Sequence, residues 1–89
     1  MRFEWDANKE QINIVKHGVD FTTASKVFSD AARVIIADEK HSGMEPRYLC
    51  VGSVDGEALT VRFVIRGGKI RIFGAGSWRR GRKIYEKNN

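Results

Sequence analysis

The stretch from Arg47 to Ala75, RYLCVGSVDGEALTVRFVIRGGKIRIFGA, decides the fold. Asp55-Gly56 and Gly67-Gly68 are two-residue turn signals of the kind that joins antiparallel strands. Between them Glu57 to Arg66 alternates, with Leu59, Val61, Phe63 and Ile65 on one face and Thr60, Arg62, Val64 and Arg66 on the other. Arg47 to Val54 reads as the strand before it and Lys69 to Ala75 as the strand after it. In the latter, Ile70 and Ile72 face a core while Lys69, Arg71 and Phe73 face out. Three strands joined by tight turns predict an antiparallel sheet.

Upstream, Ala32 to Ala37 is β-branched and almost wholly apolar, which predicts a strand with much of both faces covered. The polar segment Asp38 to Glu45 predicts an exposed loop. Arg2 to Trp5 is long enough for a short first strand. Asp6 offers an N-cap to a helix over Ala7 to His17, and Gly18 suits its C-terminal cap. A second, shorter helix capped by Thr22 or Thr23 presents Ala24, Val27 and Phe28. Downstream, Gly74 and Gly76 break the last strand, Ser77 can cap, and Trp78 to about Lys87 forms a final helix. The expectation is a single domain, 1–89, of α+β class: an antiparallel sheet with two N-terminal helices and a basic C-terminal helix packed on one face.

Eighty-nine residues, 42% of them hydrophobic, suffice for one modest core. The single cysteine, Cys50, lies in an apolar run and reads as a core residue of a reducing, cytoplasmic environment. No apolar run is long enough to span a bilayer, and MRFEWD lacks the order of a signal peptide. A soluble protein without membrane partners is expected.

Charge is distributed unevenly. Arg62 to Asn89 carries nine Lys/Arg against one acid, Glu86, whereas Met1 to Val61 carries seven against ten Asp/Glu. Such a basic third suits a polyanion, because cations that neutralise phosphates release condensed counterions. On the outward face of the sheet Arg62, Arg66, Lys69 and Arg71 become neighbours, and like charges so placed repel. That arrangement is explained by an anion-binding role, with a merely solvated sheet face as the bland reading. Arg79, Arg80, Arg82 and Lys83 extend the surface onto the last helix. Trp78 and Tyr85, interleaved with arginine, are suited either to stacking on unpaired RNA bases or to anchoring that helix, and for Tyr85 the anchor reading is favoured.

Cutting RNA without a metal requires a base for the 2′-hydroxyl proton, cations for the crowded phosphorane and an acid for the leaving oxygen. The base could be His17, Lys16, His41 or a carboxylate such as Glu4, and the sequence does not choose among them. His17 in a helix's last turn also has a capping explanation. The two histidines lie far apart in the chain, no HExxH or paired-cysteine spacing is present, and no metal or other cofactor is expected. Gly74-Ala75-Gly76 lacks the rest of a dinucleotide fingerprint.

The opening Phe3 to Lys9, FEWDANK, followed by Lys16-His17-Gly18-Val19, Phe21, Ala24 and Val27-Phe28-x-Asp30, resembles the BrnT family of bacterial type II toxins. Arg47-Tyr48, Val51-Gly52, Ile70-Arg71-Ile72 and Tyr85-Glu86 are similar as well. The resemblance implies a RelE-like fold and a ribonuclease that arrests translation. It also implies a cognate antitoxin, BrnA-like, that wraps the toxin and binds operator DNA as part of the complex. Many family members follow the last strand with Ser-Ala-Arg, whereas this chain has Gly74-Ala75-Gly76-Ser77-Trp78, so an arginine usual at that junction is absent at Gly76. His17 and Arg71 carry over, and Arg79 and Arg80 are candidates to compensate.

The resulting expectation is a metal-independent endoribonuclease in which Arg62, Arg71, Arg79 and Arg80 hold phosphate and His17 or Lys16 assists proton transfer. Trp78 would stack a base, and Arg66, Lys69, Arg82 and Lys83 would hold RNA. The rival expectations are a non-catalytic nucleic-acid-binding module and a docking surface for an acidic protein partner.

Overall fold

In a computed structural model, which describes residues 1–89, the chain runs β1 (Phe3–Trp5), α1 (Ala7–His17), α2 (Phe21–Ser25), a 3-10 turn (Lys26–Ser29) and β2 (Val34–Ala37). A second 3-10 turn (Glu39–His41) then leads to β3 (Tyr48–Val54), β4 (Glu57–Arg66), β5 (Lys69–Gly76) and α3 (Arg79–Lys87). The α+β class and the two hairpins are as the sequence predicts. Both turns need the left-handed backbone that glycine and Asp-Gly pairs tolerate, with φ of 52° and 83° at Asp55-Gly56 and 57° and 74° at Gly67-Gly68.

The five strands form one sheet in the order β1-β5-β4-β3-β2. It is mixed rather than wholly antiparallel, because β1 lies parallel to β5 with Glu4 opposite Arg71. That pairing joins the two ends of the chain, beyond the reach of any local pattern. β2 is an edge strand whose sides alternate, and Ile35 is 49% exposed, so the expectation that both its faces are covered does not hold. At β4 and β5 the register runs from Arg62 opposite Gly74 to Phe63 opposite Ile72, a bulge that leaves Phe73 unopposed.

The helices do not share one face. Phe21, Ala24, Val27 and Phe28 pack with Cys50, Leu59, Val61, Phe63, Ile72 and Ala75 in a single core. α3 lies against the opposite face, where Gly81 sits over Thr60 so closely that a side-chain carbon would fall 1.8 Å from its Oγ1. Alternation along β4 places Thr60 and Val61 on opposite sides, so α2 and α3 sandwich the sheet between them. The broken apolar pattern of α3 hid this, since its contact rests on a glycine rather than an apolar stripe.

Caps and side-chain bonds set the angles between elements. Asp6 accepts from Lys9 N at 2.9 Å and starts α1, while Asp20, rather than Thr22 or Thr23, caps α2 by accepting from Thr23 N at 2.7 Å. Asn13, buried on α1, uses its amide to complete the free edge of β5. Its Nδ2 donates to Ala75 O at 2.9 Å and its Oδ1 accepts from Ala75 N at 3.1 Å. This fixes α1 beside β5 and leaves Lys9, Lys16 and His17 on the same side as Arg62. No helix is long and apolar enough to cross a membrane.

Candidate active site

Three elements converge on Trp78. This residue precedes α3 as its N-cap position, displacing Ser77 from that expected role, and its side chain makes no capping bond. Its ring folds back over β5, where a side-chain carbon at Gly76 would approach it to 2.6 Å. Glycine at this junction is therefore what lets the indole lie against the strand. From β4 the Arg62 guanidinium stands 4.7 Å from the Trp78 ring centroid. From α1 the His17 ring meets the indole edge-on, with centroids 5.1 Å apart.

Hollows open on both sides of Arg62. The larger, of about 300 Å³, is bounded by Leu49, Thr60, Arg62, Trp78, Arg80, Gly81 and Ile84, with Asp38 and His41 at its rim. The second is lined by Lys9, Lys16, His17, Arg62, Phe73 and Gly74. A third shares Lys9 and Phe73 with the second and adds Arg47, Arg66 and Arg71. The Arg47 guanidinium lies 5.0 Å from the Phe73 ring centroid, a second aromatic ring capped by arginine on this face. Together the hollows make a cationic trough with aromatic surfaces, the combination that tracks a single-stranded backbone and its bases.

The like-charge repulsion expected on this face is largely relieved. Arg66 is held by Glu45 through two bonds of 2.7 and 2.8 Å, and Arg66 keeps the Glu45 carboxyl below its ordinary range. Arg71 donates to Glu4 at 3.1 Å, and Lys69 lies 3.7 Å from the same carboxylate. Glu4 stands across the parallel pair from Arg71, so its role is a partner for cations rather than a free base. Arg62 makes no ion pair. Of the four sheet cations it alone has its charge uncommitted, at the centre of the trough.

The remaining expected site residues separate. Arg80 lines the large hollow, as Lys16 does the second. Arg79 and Lys83 are exposed on α3 outside these hollows. Arg82 turns back toward the start of α3, donating to Ser77 O at 3.4 Å, and lines a separate depression beside Tyr85. Tyr85 is an anchor: its hydroxyl donates to Asp30 at 2.5 Å, which holds the Asp30 carboxyl below its usual range and raises the phenol. Cys50 is wholly buried, and burial pushes its thiol up to about 12, so it is a core residue.

Two features were beyond the sequence reading. The carboxylate partners of Arg66 and Arg71 come from a distant loop and from β1. The loop predicted as merely exposed is tied internally. Asp38 N donates to Arg47 O at 2.8 Å, and Ser42 Oγ donates to Asp38 O and accepts from Arg47 N, both at 2.8 Å. This holds His41 Nδ1 3.1 Å from each oxygen of Asp38.

A family model described as the ribonuclease toxin, BrnT, of a type II toxin-antitoxin system matches residues 5–81. The chain belongs to the BrnT family. No curated protein matches it individually. The BrnT match runs from the last residue of β1 into the first turn of α3, and takes in every residue named above as lining the hollows except Ile84. A BrnT toxin is described as a ribonuclease of a type II toxin-antitoxin system.

Proposed function

We propose that this BrnT toxin is a metal-independent endoribonuclease that cuts single-stranded RNA by attack of the 2′-hydroxyl on the adjacent phosphate. The observation that carries the reading is the unpaired Arg62, seated over Trp78 between two hollows that each bear an imidazole. Arg62 holds the scissile phosphate and meets the charge that grows on its oxygens as the phosphorane forms. Arg80 reaches the same anion from α3. His17, with Lys16 one residue before it, takes the 2′-hydroxyl proton. Trp78 stacks the neighbouring base, with Phe73 a second platform along the strand. Arg71, Arg66 and Lys69, whose charges are shared with Glu4 and Glu45, hold the RNA backbone farther along, and Arg79, Arg82 and Lys83 add long-range attraction.

Loss of messenger RNA to this activity arrests translation. The cognate antitoxin, of BrnA type, neutralises the toxin by covering the trough with acidic and apolar groups, and operator DNA is met only through that complex. Purified protein incubated with a single-stranded RNA in excess EDTA tests the reading: fragments ending in 2′,3′-cyclic phosphate and 5′-hydroxyl are expected. RNA that is bound, with affinity falling steeply with salt, yet stays intact would replace it with the non-catalytic binding module.

A further inference from the structure

We infer that His41, oriented by Asp38, is the general acid that protonates the leaving 5′-oxygen, opposite His17 across Arg62. The inference deepens the ribonuclease reading and rests on it. His41 is 59% exposed whereas the Asp38 side chain is only 10% exposed, so a sheltered carboxylate holds an accessible imidazole. Both Asp38 oxygens lie 3.1 Å from Nδ1, which leaves Nε2 free for substrate. A carboxylate on one ring nitrogen fixes the ring's orientation and presents the other nitrogen outward, the arrangement a proton-transfer group needs. The segment carrying the pair is braced by Ser42 between Asp38 O and Arg47 N, so the ring is positioned before substrate arrives.

The hollow in which His41 stands is shared with Arg62, Trp78 and Arg80, the groups assigned to phosphate and base. The charged groups that line it are Asp38 from the segment of His41, Arg62 from β4 and Arg80 from α3. His17 reaches the phosphate from the second hollow, on the α1 side of Arg62. In-line displacement needs its two proton-transfer groups on opposite sides of the phosphorus, and Arg62 stands between these two. As the 2′-oxygen forms its bond to phosphorus, the bond from phosphorus to the 5′-oxygen breaks and its electron pair passes to that oxygen. The oxygen takes the Nε2 proton of His41, which becomes neutral. His17 has gained the 2′-hydroxyl proton, and exchange with water resets both rings.

The test compares wild type, His41→Ala, Asp38→Asn and the control Lys40→Ala on two substrates: a dinucleotide with its natural 5′-oxygen leaving group, and a nucleoside 3′-(p-nitrophenyl phosphate), whose leaving group needs no proton. His41→Ala should lower kcat on the dinucleotide roughly 100-fold or more, and its deficit should shrink at least tenfold on the aryl ester. Asp38→Asn should lower kcat on the dinucleotide with KM little changed, and its deficit should shrink on the aryl ester as that of His41→Ala does, because the ring loses the carboxylate that orients it. Lys40→Ala should cleave like wild type, and the melting curves of the Lys40 and His41 variants should coincide with it, since both side chains are exposed. A His41→Ala enzyme within about threefold of wild type on the dinucleotide, or an equal deficit on both substrates, overturns the acid role while leaving the ribonuclease reading intact. A wild type that cleaves neither substrate nor RNA overturns both.

Discussion

The guanidinium of Arg62 rests on the face of Trp78, 4.7 Å from the ring centroid, while the His17 ring stands nearly perpendicular to the same indole, with centroids 5.1 Å apart. One indole thus spaces a cation from an imidazole, and it does so only because Gly76 beneath it has no side chain. Stacking at an exposed site contributes on the order of 0.5–1 kcal/mol to stability, so the larger consequence is positional. Trp78→Ala should weaken binding of a non-cleavable 2′-deoxy oligonucleotide by about 1–3 kcal/mol, or roughly 5- to 150-fold, with Trp78→Phe between the two. Fluorescence anisotropy would measure it, and an unchanged affinity would remove Trp78 from the RNA path.

α3 is seated by the absence of a side chain. Gly81→Ala gains helix propensity of about 1 kcal/mol but drives a methyl group onto Thr60 Oγ1, which is itself buried without a partner. Overpacking of this kind costs about 1–3 kcal/mol, so a lowered melting temperature is expected. Thr60→Ala in the same chain should restore most of the loss, because it removes the atom that is struck. Equal melting of single and double variants would show that α3 is free to lift from the sheet.

Asn13 connects α1 to the free edge of β5 through both halves of its amide. Asn13→Ala leaves the N–H and C=O of Ala75 buried without partners, at about 1–3 kcal/mol for each group. Asn13→Asp keeps an acceptor but loses the donor and buries a charge. Both should unfold at lower urea than wild type, and loss of activity in the folded fraction should follow from the displacement of His17.

The sequence pattern carried the hairpins, because Asp55-Gly56 and Gly67-Gly68 are local signals whose backbone needs are unambiguous. It carried α1 for the same reason, through Asp6 and Gly18. It missed what is decided between distant residues: β1 beside β5, and α3 on the opposite face from α2. It placed Arg62, Arg66, Lys69 and Arg71 together correctly, since strand register follows from the turns. The partners Glu4 and Glu45 were invisible because one arrives on a separate strand and the other on a loop. The distinction between Arg62 and its neighbours, which shapes the candidate site, is therefore a tertiary fact.

Asp30 gathers Ser53 N, Ala32 N and the Tyr85 hydroxyl on one carboxylate and so fastens the end of α3. Its folded pKa is lowered, first by Tyr85, so its stabilisation is present above the unfolded value of about 4 and is lost as pH falls through the folded value. The phenol of Tyr85 is raised, so its stabilisation is present below about pH 10 and is lost as pH rises through the raised value. Tyr85→Phe should melt below wild type at neutral pH, and the gap should close in acid. A gap that persists at pH 2 would mean that the bond contributes through packing alone.

The central claim is that Arg62, rather than the paired cations around it, holds the scissile phosphate. Its most direct test is the rate of RNA cleavage by Arg62→Ala beside wild type and Arg66→Ala, each shown folded by its melting curve. Loss of about 100-fold or more in Arg62→Ala, with a much smaller loss in Arg66→Ala, is the expected result. Cleavage by Arg62→Ala at the wild-type rate would contradict the account.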